Sequence, residues 1–211
     1  MRRMRRTAIL ALSCALAMLS RADTLDRIAV TVGRHVISER DVVQDVRVSA
    51  FLDNQAPDLS GPQKRKAVDR LIDQYLVFED AVLTRATLAS PADAAPLLAS
   101  IKARYASDAE YREALAQAQI ADGELAAHLL AGLRMLRYTD LRFRPEVQLS
   151  EENVRAFYET LAGPRDRFEE SRAQIEKLYT DQQVMQSLDR WLGMTRSETQ
   201  ILYHDAVFVS P

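Results

Sequence analysis

Residues 28–41 read IAVTVGRHVISERD, and this stretch decides how the fold begins. Residues 28–32 are apolar or β-branched, residues 33–35 include the glycine of a turn, and residues 36–37 are again β-branched. Two short β-branched runs around a glycine-containing turn are typical of a β-hairpin. The sequence therefore predicts a small N-terminal hairpin.

The hairpin passes directly into a helix, because Ser38 can accept from the backbone of a first helical turn and Asp41 follows three residues later, as in a capping box. Apolar residues at three- and four-residue steps predict further helices along the chain. These begin at Gln63, after Ser90, at Asp108, at Asp122, after Ser150 and near Arg165. The body of the chain is thus helical.

The clearest helix runs from Gln63 to about Thr87, with an apolar stripe on one side. Its other face carries the charged residues Asp69, Arg70, Asp73 and Asp80. Glu79 falls inside the apolar stripe, where it either reaches the edge of the face or forms a buried acid.

The C-terminal part predicts a helix from about Arg165 to Trp191 that Gly193 terminates. Residues 200–203 and 206–209 are extended in character. Because a two-stranded ribbon alone is marginally stable, we expect the last strand to join the N-terminal hairpin. The predicted fold class is mainly α, with a small β element formed by the hairpin and the C-terminal strand.

The N-terminus is typical of an exported protein. Arginines precede an apolar run from Ala8 to Leu19, which is too short to span a membrane, and small residues follow at Ser20 and Ala22. We predict a signal peptide over residues 1–22 and one mature domain over 23–211, located in the periplasm without a membrane span. An uncleaved anchor and lipid attachment at Cys14 remain alternatives.

Composition excludes several classes of protein. The 211 residues are 47% hydrophobic and 27% charged, which is typical of a folded globular chain. Cleavage after Ala22 removes five of the 28 basic residues and no acid, leaving 23 against 30 acidic residues and a net charge of about −7. Such a charge argues against nucleic acid as a partner.

The sequence contains few candidates for catalysis. The three histidines, His35, His128 and His204, form no metal-binding spacing, and neither a cysteine pair nor a glycine-rich phosphate loop occurs. A serine, histidine and aspartate could still meet in the fold. We expect His35 to serve the turn and the helix cap, and we predict that the protein is not an enzyme and needs no cofactor.

The order of these elements resembles the SurA-type periplasmic chaperones. Residues 28–41 are similar to the strand, turn, return strand and capped helix that open that family, and residues 69–76 (DRLIDQYL) resemble its next helix. Residues 149–154 with Phe157 and Tyr158 resemble the helix that leads into a parvulin-type prolyl isomerase domain. Only Glu159 to Arg167 lie where that domain would stand, so the resemblance covers the chaperone part alone and transfers no catalytic residue.

The resemblance implies an ATP-independent holdase that binds unfolded or extended segments of exported or outer-membrane proteins. On the helix from Asp122 to Phe143, apolar residues occupy two faces, so one face can serve a partner. We therefore predict a peptide-binding surface with the following residues: Leu130, Met135, Tyr138, Leu141, Phe157 and Tyr158.

Two other functions remain open. The same apolar stripe could hold one fixed protein, or a second copy of the chain as a homodimer, and such a scaffold would bind one partner tightly where a holdase binds many weakly. Prolyl isomerisation without the usual domain is the enzymatic alternative, and acceleration of a prolyl test peptide above its slow thermal rate would reveal it.

Overall fold

A computed structural model describes residues 26–161 and 168–208. The strands are β1 (Ile28–Val32), β2 (His35–Ser38) and β3 (Ile201–Tyr203). The helices are α1 (Glu39–Leu52), α2 (Gly61–Leu83), α3 (Pro91–Lys102), α4 (Asp108–Ala118), α5 (Asp122–Phe143), α6 (Glu151–Thr160) and α7 (Phe168–Glu198), with short 3₁₀ turns at Arg144–Glu146 and Ala206–Phe208. The fold is mainly α with a small antiparallel sheet, as the sequence predicts.

Some sequence predictions lie outside the described residues. They concern the leader over residues 1–22, the helix break at Gly163 and Pro164, the start of the last helix at Arg165, and Val209. Within the described residues, no helix is long and apolar enough to cross a membrane.

The sheet confirms the predicted hairpin and its closure by the C-terminal strand. Its order is β2-β1-β3, and both pairings are antiparallel. Gly33 sits in the turn at φ +57°, a left-handed conformation that glycine adopts without strain. Its N–H donates to the carbonyl of Gln200 at 2.8 Å, so the turn that closes the hairpin also contacts the start of β3.

Local capping signals place the starts of α1, α3, α4 and α6 correctly, whereas α2 runs from Gly61 to Leu83 rather than from Gln63 to about Thr87. Ser38 and Asp41 form the predicted capping box, with the Asp41 N–H donating to Ser38 Oγ at 3.2 Å and the Ser38 N–H donating to an Asp41 carboxylate oxygen at 2.9 Å. Ser90 and Asp93 form a second capping box at α3. Helix α5 has the bounds that the sequence predicts.

Two predictions about the C-terminal part are wrong. Helix α7 continues through Gly193 to Glu198, because a glycine ends a helix only where the chain takes a left-handed turn, and among the described glycines Gly33 alone does so. Residues 206–208 form a 3₁₀ turn rather than a strand, since the Val207 N–H donates to Asp205 Oδ1 at 2.9 Å. That turn places Phe208, 3% exposed, in the core.

The main hydrophobic core surrounds α2. The sheet, α1, α5, α7 and the last 3₁₀ turn all contribute buried side chains, among them Val30, Ile37, Val42, Ile72, Leu76, Tyr138, Leu188 and Phe208. A second cluster joins α1, α3, α4 and the start of α5. A third, smaller one joins α6 to the start of α7.

The extra turns of α7 carry Arg196, which binds α2. Its guanidinium donates to Asp73 Oδ1 at 2.8 Å, to Asp69 Oδ1 at 3.0 Å and to the Asp69 carbonyl at 2.9 Å. Burial raises the pKa of Asp73, and the positive charge of Arg196 opposes that rise. The contact therefore ties the C-terminal helix to α2 through charge-assisted hydrogen bonds.

We expect Arg196→Met to lower the free energy of unfolding by about 2 kcal/mol, because two partly buried carboxylates lose their partner. Without Arg196, the pKa of Asp73 rises further, and a raised folded-state pKa means stability that is lost as pH rises through it. Urea unfolding should therefore show that Arg196→Met loses more free energy of unfolding near pH 7 than near pH 4.5. Arg190→Met on the exposed face of α7 is the control, and equal deficits at both pH values would contradict the role given to Asp73.

Deletion of residues 201–211 should lower the melting temperature by about 8 °C or more, because the chain loses β3 and the buried ring of Phe208 together. Leu202→Thr, at a side chain that is 48% exposed, is the matched control and should change the melting temperature little. Thermal unfolding followed by circular dichroism makes the comparison. An unchanged melting temperature for the deletion would mean that β3 does not stabilise the domain.

Candidate functional site

The sequence predicts Tyr138 as part of a peptide-binding surface. This prediction is wrong, because Tyr138 does not lie on an accessible surface. Its side chain is 1% exposed, and its hydroxyl donates to Asp80 Oδ2 at 2.7 Å. The reason is that α5 changes neighbours along its length. Leu125 near its start packs with α3 and α4, whereas Tyr138 and Phe143 near its end pack with α2 and α7. A single helical face therefore does not describe this helix.

The other predicted contact residues are separated in the fold. Leu141 is 53% exposed, and Leu130 lines a cavity of about 210 Å³ between α3 and α5. Phe157 and Tyr158 are half-buried in the third hydrophobic cluster, where α6 meets α7. Met135 lines a larger cavity. The structure therefore does not bring the six predicted residues together in one surface.

The larger cavity is the centre of a trough that crosses the molecule above α2. It has a volume of about 380 Å³. Helix α2 forms its floor, β2 and the start of α1 form one wall, and α5 forms the other. The lining residues that matter most are Leu71, Tyr75 and Phe78 of the floor, His35 and Ile37 of β2, and Ala131, Arg134 and Met135 of α5.

The trough extends in both directions along α2. A cavity of about 330 Å³ adjoins one end and shares Leu71 and Ala131 with the centre. A cavity of about 420 Å³ adjoins the other end and shares Phe78 and Arg134. The α2 residues that line these cavities run from Leu71 to Val82, which makes the floor roughly 17 Å long at about 1.5 Å per residue. Roughly five residues of extended chain match that length.

The floor is an apolar stripe of α2 that the rest of the fold leaves partly open. Leu71, Tyr75, Phe78 and Val82 follow one another at steps of four, three and four, so they lie on one side of the helix. Phe78 is 45% exposed and Val82 is 58% exposed. The Arg134 guanidinium lies 5.9 Å from the ring centre of Phe78, within the range of a cation–π contact.

An aromatic stack fixes the middle of the trough. The rings of His35 and Tyr75 are 4.2 Å apart and within 6° of parallel. The Tyr75 hydroxyl donates to Glu79 Oε1 at 2.8 Å, and burial together with this acceptor raises the pKa of Tyr75. Glu79 itself is exposed, so it reaches the edge of the helix face rather than forming a buried acid.

Sequence reasoning missed two residues of the trough. His35 was expected to serve the turn, yet its ring packs on α2 as part of β2. Phe78 lies beside the stripe that marks the core of α2 and was not a candidate. The signal that could have found it is the second stripe through Leu71, Tyr75 and Val82, which runs next to the core stripe.

One end of the trough is acidic. Asp41, Asp45 and Glu124 line it together with Arg40 and His128. Asp45 is 4% exposed and accepts hydrogen bonds from Arg70, and its other oxygen lies 3.4 Å from His128 Nδ1. Glu124 lies 3.8 Å from Arg40. A paired, buried carboxylate thus anchors this end.

The opposite end is basic. Arg85 and Arg134 line it, and no described carboxylate lies within 4.0 Å of either guanidinium. Arg134 Nε donates to the carbonyl of Ala89 at 3.1 Å, which holds the side chain over Phe78. The trough therefore has an apolar middle between ends of opposite charge.

This arrangement can bind a chain with apolar side chains and can orient it by charge. In the part of the chain that the structure describes, no group of three or more His, Cys, Asp or Glu side chains could hold a metal ion. Apolar surface, one aromatic stack and two guanidinium groups without a described carboxylate partner are the chemistry that the site offers. In comparisons with known proteins, no family model and no curated protein matches this chain.

Proposed function

We propose that the protein is an ATP-independent periplasmic holdase chaperone that binds unfolded or extended segments of exported or outer-membrane proteins in the trough. The observation that carries the proposal is the uncovered apolar stripe of α2 at the bottom of an elongated trough. Folded domains usually cover such a stripe with another element, and a continuous exposed apolar surface is typical of a binding site. Its length suits an extended segment better than a compact small molecule.

The energetics support transient binding. Covering apolar surface contributes about 25 cal/mol per Å², and Phe78 and Val82 together offer an exposed aromatic and an exposed aliphatic side chain. Met135 adds a flexible thioether that adapts to side chains of different shape. The site lacks a deep closed pocket that would select one side chain. Such a surface favours weak binding of many different clients.

Charge and export signals support the cellular setting. With residues 1–22 removed, 23 basic and 30 acidic residues give a net charge of about −7, which keeps an apolar surface soluble when empty. The resemblance of residues 28–41 to SurA-type chaperones supports the same setting. We propose the periplasm as the location and no cofactor as a requirement.

Export is testable directly. When the full chain is expressed in a Gram-negative host, we expect it in the periplasmic fraction with a mass that corresponds to a start at Asp23, because Ser20 and Ala22 fit signal-peptide cleavage. Osmotic-shock fractionation and intact-mass spectrometry measure both properties. Retention of residues 1–22 in a membrane fraction would indicate an anchor instead.

Holdase activity should depend on the trough. We expect the purified protein to keep a urea-unfolded outer-membrane β-barrel protein soluble on dilution without ATP. The double variant Phe78→Ser with Met135→Ser should need at least three times as much protein for the same suppression, because it removes apolar surface from the floor and one wall. Light scattering measures aggregation, and thermal unfolding shows whether the variant is folded.

Two control variants sharpen this experiment. Leu83→Ser changes a side chain that is 78% exposed on the same helix but outside the trough, and Leu141→Ser changes a residue that the sequence predicted as a contact. Both should suppress aggregation like the unmodified protein. Suppression that Leu141→Ser abolishes and the trough variant retains would place client binding elsewhere. No suppression by a folded protein would favour the scaffold with one fixed partner or with itself.

A further inference from the structure

Strand β2 is an edge strand of the described sheet, and two of its side chains line the trough. The sheet order is β2-β1-β3, so β1 covers one side of β2 only. His35 and Ile37 of β2 line the trough, and α5 lines the opposite wall. The face of β2 that carries these two side chains therefore forms one wall of the trough, with α2 below it.

The hairpin register shows which backbone groups face that space. Val32 pairs with His35 across a two-residue turn, and Thr31 pairs with Val36. In such a hairpin the residues that flank the turn exchange hydrogen bonds with each other, and the next pair does not. The N–H and C=O of Val36 are therefore directed away from β1, toward the open edge.

We propose that the client binds as a fourth strand, antiparallel to β2, with a carboxylate near its C-terminal end at Arg85 and Arg134. The inference rests on the proposed function and specifies the pose and the chemistry of the bound segment. Backbone hydrogen bonds to Val36 would fix the strand beside β2. Its alternate side chains would then point down onto the α2 floor, as His35 and Ile37 do.

Charge sets the direction of the strand. Along the wall, the chain runs from His35 and Ile37 at the centre to Asp45 at the acidic end. A strand antiparallel to β2 therefore starts at the acidic end and finishes at the basic end. Its C-terminal carboxylate, or an Asp or Glu side chain there, meets Arg85 and Arg134, neither of which has a carboxylate within 4.0 Å among the described residues. A basic residue at its start meets Asp41, which has no basic partner within 4.0 Å among the described residues.

Short fluorescent peptides test the pose. The probe is an octapeptide with lysine first, alternating valine and threonine in the middle, and glutamate last. One comparison peptide exchanges the lysine and the glutamate, and another carries N-methyl groups at alternate backbone nitrogens. Fluorescence anisotropy with the full mature chain should give the probe at least tenfold tighter binding than either comparison peptide, because the first reverses the charges and the second removes strand hydrogen bonds.

Matched variants of the protein test whether Arg134 causes the difference in affinity between the peptides. Arg134→Gln, which keeps a donor for the Ala89 carbonyl, should reduce the preference for the probe over the charge-exchanged peptide to less than threefold. Arg190→Gln, on the exposed face of α7, should leave the preference unchanged. Hydrogen exchange of the Val36 amide should slow on binding of the probe. A probe with an amidated C-terminus distinguishes the chain terminus from the glutamate side chain as the source of the carboxylate.

The outcomes separate this inference from the proposed function. If all the peptides bind equally, and if Phe78→Ser weakens each of them, the trough binds clients but strand addition and the charge order are wrong. If the N-methylated peptide binds like the probe, strand addition alone is overturned. If no peptide binds to the folded protein and it does not suppress aggregation, the proposed function and the inference both fail.

Discussion

One carboxylate oxygen of Asp80, on α2, accepts hydrogen bonds from both the Tyr138 hydroxyl at 2.7 Å and the Arg142 guanidinium at 3.0 Å. The same guanidinium lies 5.3 Å from the ring centre of Trp191, so this contact joins α2, α5 and α7. Burial and the bond to Asp80 raise the pKa of Tyr138, which keeps its hydroxyl a donor. The geometry around α2 depends on this shared acceptor, because a charge taken out of water must be paired.

The other charged residues of α2 act in the same way. Arg70 binds the buried carboxylate of Asp45 on α1, and Arg196 of α7 binds Asp69 and Asp73. A helix that packs against neighbours on most of its sides cannot leave these groups unpaired. The residues that look like a solvated polar face in the sequence are thus the points at which other elements attach.

The trough follows from the width of the sheet. Three short strands cover only part of α2, so the stripe of Leu71, Tyr75 and Phe78 lies in a gap between β2 and α5. The hydrogen bonds from Tyr138 and Arg142 to Asp80 fix the position of α5 beside the stripe. The open edge of β2 and the open stripe therefore share one cause, which is the absence of another strand in the described sheet.

Local signals in the sequence predict the elements well, and long-range contacts explain the failures. The capping box of Ser38 and both bounds of α5 depend on neighbouring residues, which the sequence shows directly. The end of α7 depends on Arg196 reaching α2, which no local pattern reveals. Of the predicted contact residues, Met135 alone lies in the trough, since a helical wheel of α5 assumes one set of neighbours and Tyr138 faces another.

A site built on clamped elements limits both the cost and the strength of binding. Because α1, α5 and α7 are each tied to α2, a segment bound as we propose need not open the core, and the ordering cost falls on that segment's own chain. The floor is partly exposed, with Phe78 at 45% and Val82 at 58%, so each covered side chain contributes only a modest free energy of binding. Under the proposed function, which uses no ATP, a bound segment is released by spontaneous dissociation. A shallow trough with charged ends meets that need, since it orients a segment without enclosing it.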